Sequence, residues 1–388
     1  MKRPLALTLV LAVAVLACSL PTVPGGTEPP IDLTPATEPA EPPPPATEPT
    51  LPDPLVVLHD REGGQFRIVT LDGAPVETRP ADGMEWARPG NIQVAGDAIY
   101  YVDSAGSSLG GVVRRVTSAG SETLPFTQAE PLDTLTFAVT PDQSRIAWAT
   151  ASWDASGSES ELWIANIDGS DAHLALQRTP ADPFDEYYLV EVAGWLPDGR
   201  VLYAWQISGI GGYILFFGHS SLYAYDPASG AVTPLAPIPG PGVGVGPCWG
   251  GLSPDAAFAA GWCGPDRVLR ERNLASAAET VFPAWSDEQG QLGAAVYSPS
   301  GTRLAYAIAR GDMMNEAGWL LLAPHGGGEQ TLVASVAPGY IDRVLWVDEG
   351  RLVVSYWTGE ASGVDLLRLS DLARTPLGSG RLIGLMSP

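Results

Sequence analysis

At 388 residues, with 44 acidic against 21 basic side chains and a formal charge of −23, the chain would repel a phosphate backbone, which argues against general nucleic-acid binding. Its 44 glycines and 37 prolines favour turns over helices. Lys2 is the only lysine and lies in a segment that reads as removable, so lysine chemistry such as a Schiff base is excluded from the mature protein.

The first element is MKRPLALTLVLAVAVLACS: a basic start, an apolar run and a small residue before Cys18. The run is too short for an ordinary membrane span and has the composition of a secretory signal. Val15-Leu16-Ala17-Cys18 resembles the bacterial lipobox, which implies cleavage after residue 17 and lipid attachment at Cys18. The alternative is plain secretion with cleavage elsewhere. Residues 18–52 follow as a Pro/Thr/Glu-rich disordered tether without aromatic residues, with TEP recurring at Thr27, Thr37 and Thr47. In polyproline geometry it would reach roughly 100 Å.

From residue 53 to residue 388 one pattern recurs: an apolar run, a tight turn and a second apolar run. Turns fall near Asp97, Asp142, Asp198, Asp255, Ser300 and Asp348. Pro presets φ, Asp bonds its own backbone and Gly takes a positive φ, so each is a hairpin. A third strand follows, as in LWIANIDG, and then a short fourth, giving a four-stranded unit every 44 to 57 residues. That length and the period-two alternation point to propeller blades rather than helical repeats.

The hairpin AVYSPSGTRLAYA together with LWIANIDG resembles the TolB-like, WD-repeat-like propeller repeat, over most of residues 53–388. The resemblance implies a β-propeller without fixing an activity, because such domains serve as scaffolds, as gates of peptidases and as enzymes. Six turns mark six blades. One repeat before Asp97, LVVLHD and QFRIVTLDG read as the second and third strands of a blade whose first strand is missing. The terminal RLIGLMSP supplies it. The expectation is a seven-bladed all-β propeller closed by pairing residues 381–388 with residues 55–60, with six blades as the alternative.

Cys248 and Cys263 are equidistant from the turn at Asp255 and are expected to face each other across the hairpin as a disulfide; two buried thiols are the alternative. His59, His173, His219 and His325 are scattered over different blades. No HExxH, phosphate loop or calcium loop occurs, so no catalytic, metal or cofactor site is assigned. GHSSL at Gly218–Leu222 resembles a nucleophile elbow without its final glycine, and Arg310-Gly311-Asp312 reads as a chance tripeptide. The tryptophans are expected between blades. ASWDASGSESE and ARGDMMNEAG read as long solvated loops. The unusual insertion is residues 207–221, in which Tyr213, Ile214, Leu215, Phe216 and Phe217 would form a partner or membrane contact if exposed; folding over its own blade is the alternative.

The sequence therefore reads as a monomeric, lipid-anchored envelope protein facing the extracytoplasmic side, with a non-catalytic propeller that recognises a protein, peptide or glycan. The alternatives are a propeller hydrolase or lyase and an accessory subunit of a TolB-like envelope complex.

Overall fold

The computed structural model describes residues 52–387 except 85–89, 105–109, 131–132, 155–156, 179–187, 208–214, 238–248, 263–267, 287–289, 311–315 and 360. The leader, Cys18 and the tether up to residue 51 lie outside the described residues. Every regular element described is a β-strand, and the strands form seven four-stranded antiparallel sheets.

Blade 1 contains β1 (Leu55–Asp60), β2 (Gln65–Val69) and β3 (Pro75–Pro80). Blade 2 contains β4 (Ile92–Ala95), β5 (Ala98–Asp103), β6 (Gly111–Thr117) and β7 (Gly120–Ala129). Blade 3 contains β8 (Thr134–Val139), β9 (Arg145–Asp154), β10 (Gly157–Asn166) and β11 (His173–Arg178). Blade 4 contains β12 (Tyr188–Trp195), β13 (Val201–Ile207), β14 (Leu222–Tyr225) and β15 (Val232–Ala236). Blade 5 contains β16 (Trp249–Leu252), β17 (Phe258–Gly261), β18 (Arg270–Asn273) and β19 (Glu279–Val281). Blade 6 contains β20 (Gln291–Tyr297), β21 (Arg303–Arg310), β22 (Ala317–Pro324) and β23 (Thr331–Val336). Blade 7 contains β24 (Tyr340–Asp348), β25 (Arg351–Trp357), β26 (Ser362–Arg368) and β27 (Arg374–Ser379). The last strand, β28 (Arg381–Met386), returns to blade 1.

The expected closure is present. β28 is the first strand of blade 1, antiparallel to β1, with Leu55 opposite Met386 and His59 opposite Arg381. Leu382, Ile383 and Met386 are buried. At about 1.5–3 kcal/mol per fully buried apolar side chain, the strand is a substantial part of the domain's stability. Arg351, at the start of β25, completes the join: it donates to both carboxylate oxygens of Asp53 (2.7 and 3.2 Å) and to Asp348 (2.7 Å).

The core is divided. Seven buried clusters exist, and each is shared by two adjacent blades, the last joining blade 7 to blade 1 through Val353, Val364, Val56, Leu58 and Leu382. Tryptophans tie neighbours together, as expected. Trp195 of blade 4 donates its indole N–H to the Ala138 carbonyl of blade 3 (2.9 Å) while Arg145 of blade 3 covers its ring. The same device recurs three blades on: Trp346 donates to Val296 (3.2 Å) under Arg303. A buried indole keeps its N–H bonded, and the cation over its face adds attraction.

One expectation needs correction. Residues 151–161 are mainly not a loop: β9 and β10 continue their ladder to Asp154 opposite Gly157, so the hairpin extends outward as paired strand.

Candidate functional site

Alternation of strand direction sorts the connections onto two faces. Turns between first and second strands and between third and fourth strands share one face, and these are tight: residues 196–200, 253–257, 298–302 and 226–231. The second-to-third and blade-to-blade connections join strand ends on the opposite face, and in sequence several of them are longer: fourteen residues between β13 and β14 and twelve between β15 and β16. Asp53, bonded to Arg351 beside the Asp348 turn, places the start of the domain on the tight-turn face. Binding residues concentrate on loops held by rigid scaffolds, so the long-connection face and its channel mouth form the candidate site.

The channel is lined by the first strands of the blades. Five of these carry a bulge, at Val192/Gly194, Trp249/Gly251, Gly293/Val296, Ile341/Arg343 and, on the β1–β28 ladder, Val57/Leu58. A bulge re-aims the side chains next to it. In sequence each extra residue breaks the period-two phase, but strands this short offer too few positions to read the break as a bulge.

The insertion lies across this mouth. Its described part begins at Leu215, whose N–H is bonded to Gln291 of blade 6 (2.7 Å). Phe216 is buried in the cluster between blades 6 and 7, against Gly293. His219 then exchanges both backbone bonds with Trp249 of blade 5 (2.9 and 3.0 Å). The described part, Leu215–His219, thus lies against blades 5, 6 and 7. Of the five expected contact residues, Tyr213 and Ile214 lie outside the described residues, Leu215 is half-buried, and Phe217 is the one exposed, at 53 %. Gly293 is what admits Phe216: a Cβ there would stand 2.2 Å from the Phe216 Cβ.

Beneath the segment, His219 Nδ1 is buried without a hydrogen-bond partner, 3.9 Å from Glu191 on β12. Burial pushes its pKa down to about 4, so it is neutral at neutral pH. Ser220, in the elbow-like fragment, is buried, and its N–H and hydroxyl both face Gln206 Oε1 (3.0 and 3.4 Å). Its neighbours serve the ladder, and Ser221 likewise bonds the Trp205 backbone. Among the described residues, no group of three or more His, Cys, Asp or Glu is arranged to hold a metal ion.

Away from the mouth, Glu271 is buried between blades 5 and 6. It accepts from Tyr297 (2.7 Å) and Gly326 N–H (2.9 Å) and pairs with His325 Nδ1 (2.7 Å). Burial and the Glu271 carboxylate push the Tyr297 phenol up. With its oxygens occupied by three groups of blade 6, this blade 5 carboxylate is a structural tie between the two.

Cys248 and Cys263 lie outside the described residues. The hairpin between them pairs Leu252 with Ala259, the register expected from the turn, but the bulge shifts it by one residue at Trp249–Gly261. Of the RGD tripeptide, only Arg310 is described, and it lies beside the Trp319 ring.

No protein-family model and no curated protein matches the chain. Solved structures do. A putative 6-phosphogluconolactonase from Bacteroides uniformis is 10% identical, covering 86% of this chain and 99% of that one, with a TM-score of 0.51. A putative TolB from Agrobacterium tumefaciens is 14% identical over 74% of this chain and 94% of that one, with a TM-score of 0.42. A prolyl endopeptidase structure is 13% identical over 76% of this chain and 43% of that one, with a TM-score of 0.47. At such identities the likeness concerns the propeller fold alone.

Proposed function

We propose that the chain is a cell-envelope lipoprotein, lipidated at Cys18, whose propeller is a non-catalytic binding module for a protein, peptide or glycan. The observation that carries this reading is the separation of the two faces. The domain begins at Asp53 on the tight-turn face, bonded to Arg351. The segment Leu215–His219 lies on the opposite face, beside the starts of β16 and β20. Phe217 is the side chain of that segment offered to a partner. A Cys248–Cys263 disulfide belongs to the same reading, since an exported hairpin meets an oxidising compartment after export.

The test is a peptide and glycan binding screen on residues 53–388, together with palmitate incorporation in cells producing the full chain. Binding that is weakened by Phe217→Ala, and label that disappears in Cys18→Ala, are the expected results. Silence across the screen, or label retained in Cys18→Ala, overturns the respective half of the proposal.

A further inference from the structure

The mouth contains an unbalanced group of charges where blade 7 meets blade 1. The bulge at Ile341/Arg343 interrupts the alternation of β24, leaving Asp342 as the extra residue. Ile341, Val344 and Trp346 face blade 6. Asp342 and Arg343 both turn towards β28 of blade 1. There Arg343 reaches the Leu382 carbonyl at 3.5 Å, and Asp342 Oδ2 stands 3.6 Å from Arg381 Nε.

Neither contact completes its partners. A guanidinium has five donors, and the one described acceptor for Arg343 is that long contact. Asp342 Oδ1 is buried with no hydrogen-bond partner. Arg343 and Arg381 share one aspartate as their close partner, while Glu316 and Asp60 act on the neighbouring Tyr340 and His59. Burial, with Arg381 nearby, pulls the Arg343 pKa down to about 10, a measure of how poorly the cation is solvated there. Buried polar atoms are normally paired, and a charge held without its partner is costly. Such an arrangement persists when a ligand completes it.

We infer that Arg343 and Arg381 bind a carboxylate at the channel mouth, and that Asp342 Oδ1 accepts a hydroxyl or ammonium proton carried next to that carboxylate. The ligand class is a small acid with an adjacent hydrogen-bond donor, free or as the terminal group of a larger molecule. Arginine is suited to this because its planar donors match both carboxylate oxygens. An acid without the neighbouring donor would leave Asp342 unsatisfied and would meet its repulsion.

This deepens the binding reading above but is tested separately from it. Residues 53–388 are titrated calorimetrically, at fixed ionic strength, with D-galacturonate (carboxylate and hydroxyls), D-galactose (hydroxyls only) and propionate (carboxylate only). Saturable galacturonate binding is expected, with the other two weaker by about tenfold or more. Arg381→Gln and Arg343→Gln should each weaken galacturonate by about the same factor, while Arg368→Gln, on the outer surface, leaves it unchanged. Arg381 is a third exposed, so its variant remains informative if Arg343→Gln fails to fold. Equal response to galactose and galacturonate, no response to galacturonate, or unchanged binding in folded Arg381→Gln overturns the site. A silent peptide and glycan screen beside saturable galacturonate binding would sink the macromolecular ligand and leave the anion site standing.

Discussion

At the scale of single residues, the turns show how the repeat tolerates its own exceptions. In blades 4 and 6, the left-handed turn position is filled by Gly199 and Gly301. In blades 3 and 5 it holds Gln143 (φ 58°) and Ala256 (φ 54°). Gln143 has compensating contacts with Asp97, Tyr100 and Arg115; no such side-chain contact is open to Ala256. Left-handed geometry costs an L-residue about 1–2 kcal/mol, partly offset by the entropy glycine loses, so Ala256→Gly should stabilise the domain by about 0.5–1 kcal/mol in urea titrations. Equal midpoints would show that the turn is unstrained. His219 supplies a pH test. Its folded pKa of about 4 lies below the ordinary 6.5. Between those values the unfolded chain binds a proton that the folded one refuses, so stability falls as pH drops from 6.5 towards 4. His219→Gln should flatten that slope in part, because His59, also lowered by burial, still contributes. An unchanged slope would place His219 in contact with water. The sequence displayed the turn residues openly. It could not display that Nδ1 of one histidine would end up beside Glu191, because that depends on where a long connection lies.

Among the elements, the segment Leu215–His219 differs most from its sequence reading. ILFFG was legible as unusual, a run of large apolar side chains inside a connection. Its destination was not, since the receptors for Phe216 lie some eighty to one hundred and forty residues later, in blades 6 and 7. Gly293 was the available clue, a glycine inside a strand where backbone or side chain comes close. Two substitutions separate the roles of adjacent phenylalanines. Phe216→Ala should cost about 3–5 kcal/mol by thermal or urea unfolding, as buried aromatic truncations do, and Phe217→Ala should stay within about 0.5 kcal/mol. The reverse order would mean that Phe217 is the anchor. The bulged first strands were only partly legible. An extra residue inverts the phase of a period-two pattern, and in β24 its trace is the adjacent polar pair Asp342-Arg343; that break alone did not tell that both side chains reach β28.

For the whole molecule, fold and blade number were readable because the hairpin recurs and because the two chain ends each display half of one unit. The ring of seven shared clusters makes every blade depend on two neighbours, so the structure has no independent half. Deleting residues 381–388 should therefore destabilise all blades together: the transition should move by many degrees and lose cooperativity in calorimetry. A truncated domain melting like the full one would show that blade 1 closes without β28. Asp53→Ala should give a smaller loss in the same assay, since the pair with Arg351 is partly solvated.

The join between β28 and β1 also governs how the protein bears a load. β1 lies between β28 and β2, hydrogen-bonded on both sides. A pull applied at Asp53 runs along the strand and must shear two ladders at once, instead of opening one bond after another like a zip. Stretched between Asp53 and a connection on the opposite face such as Thr358, between β25 and β26, the domain should yield only at high force and in a single rupture. The same stretch after removal of β28 should peel blade 1 away at low force. Under the proposed lipid attachment, load would enter at this end of the chain, at a strand bonded on both sides.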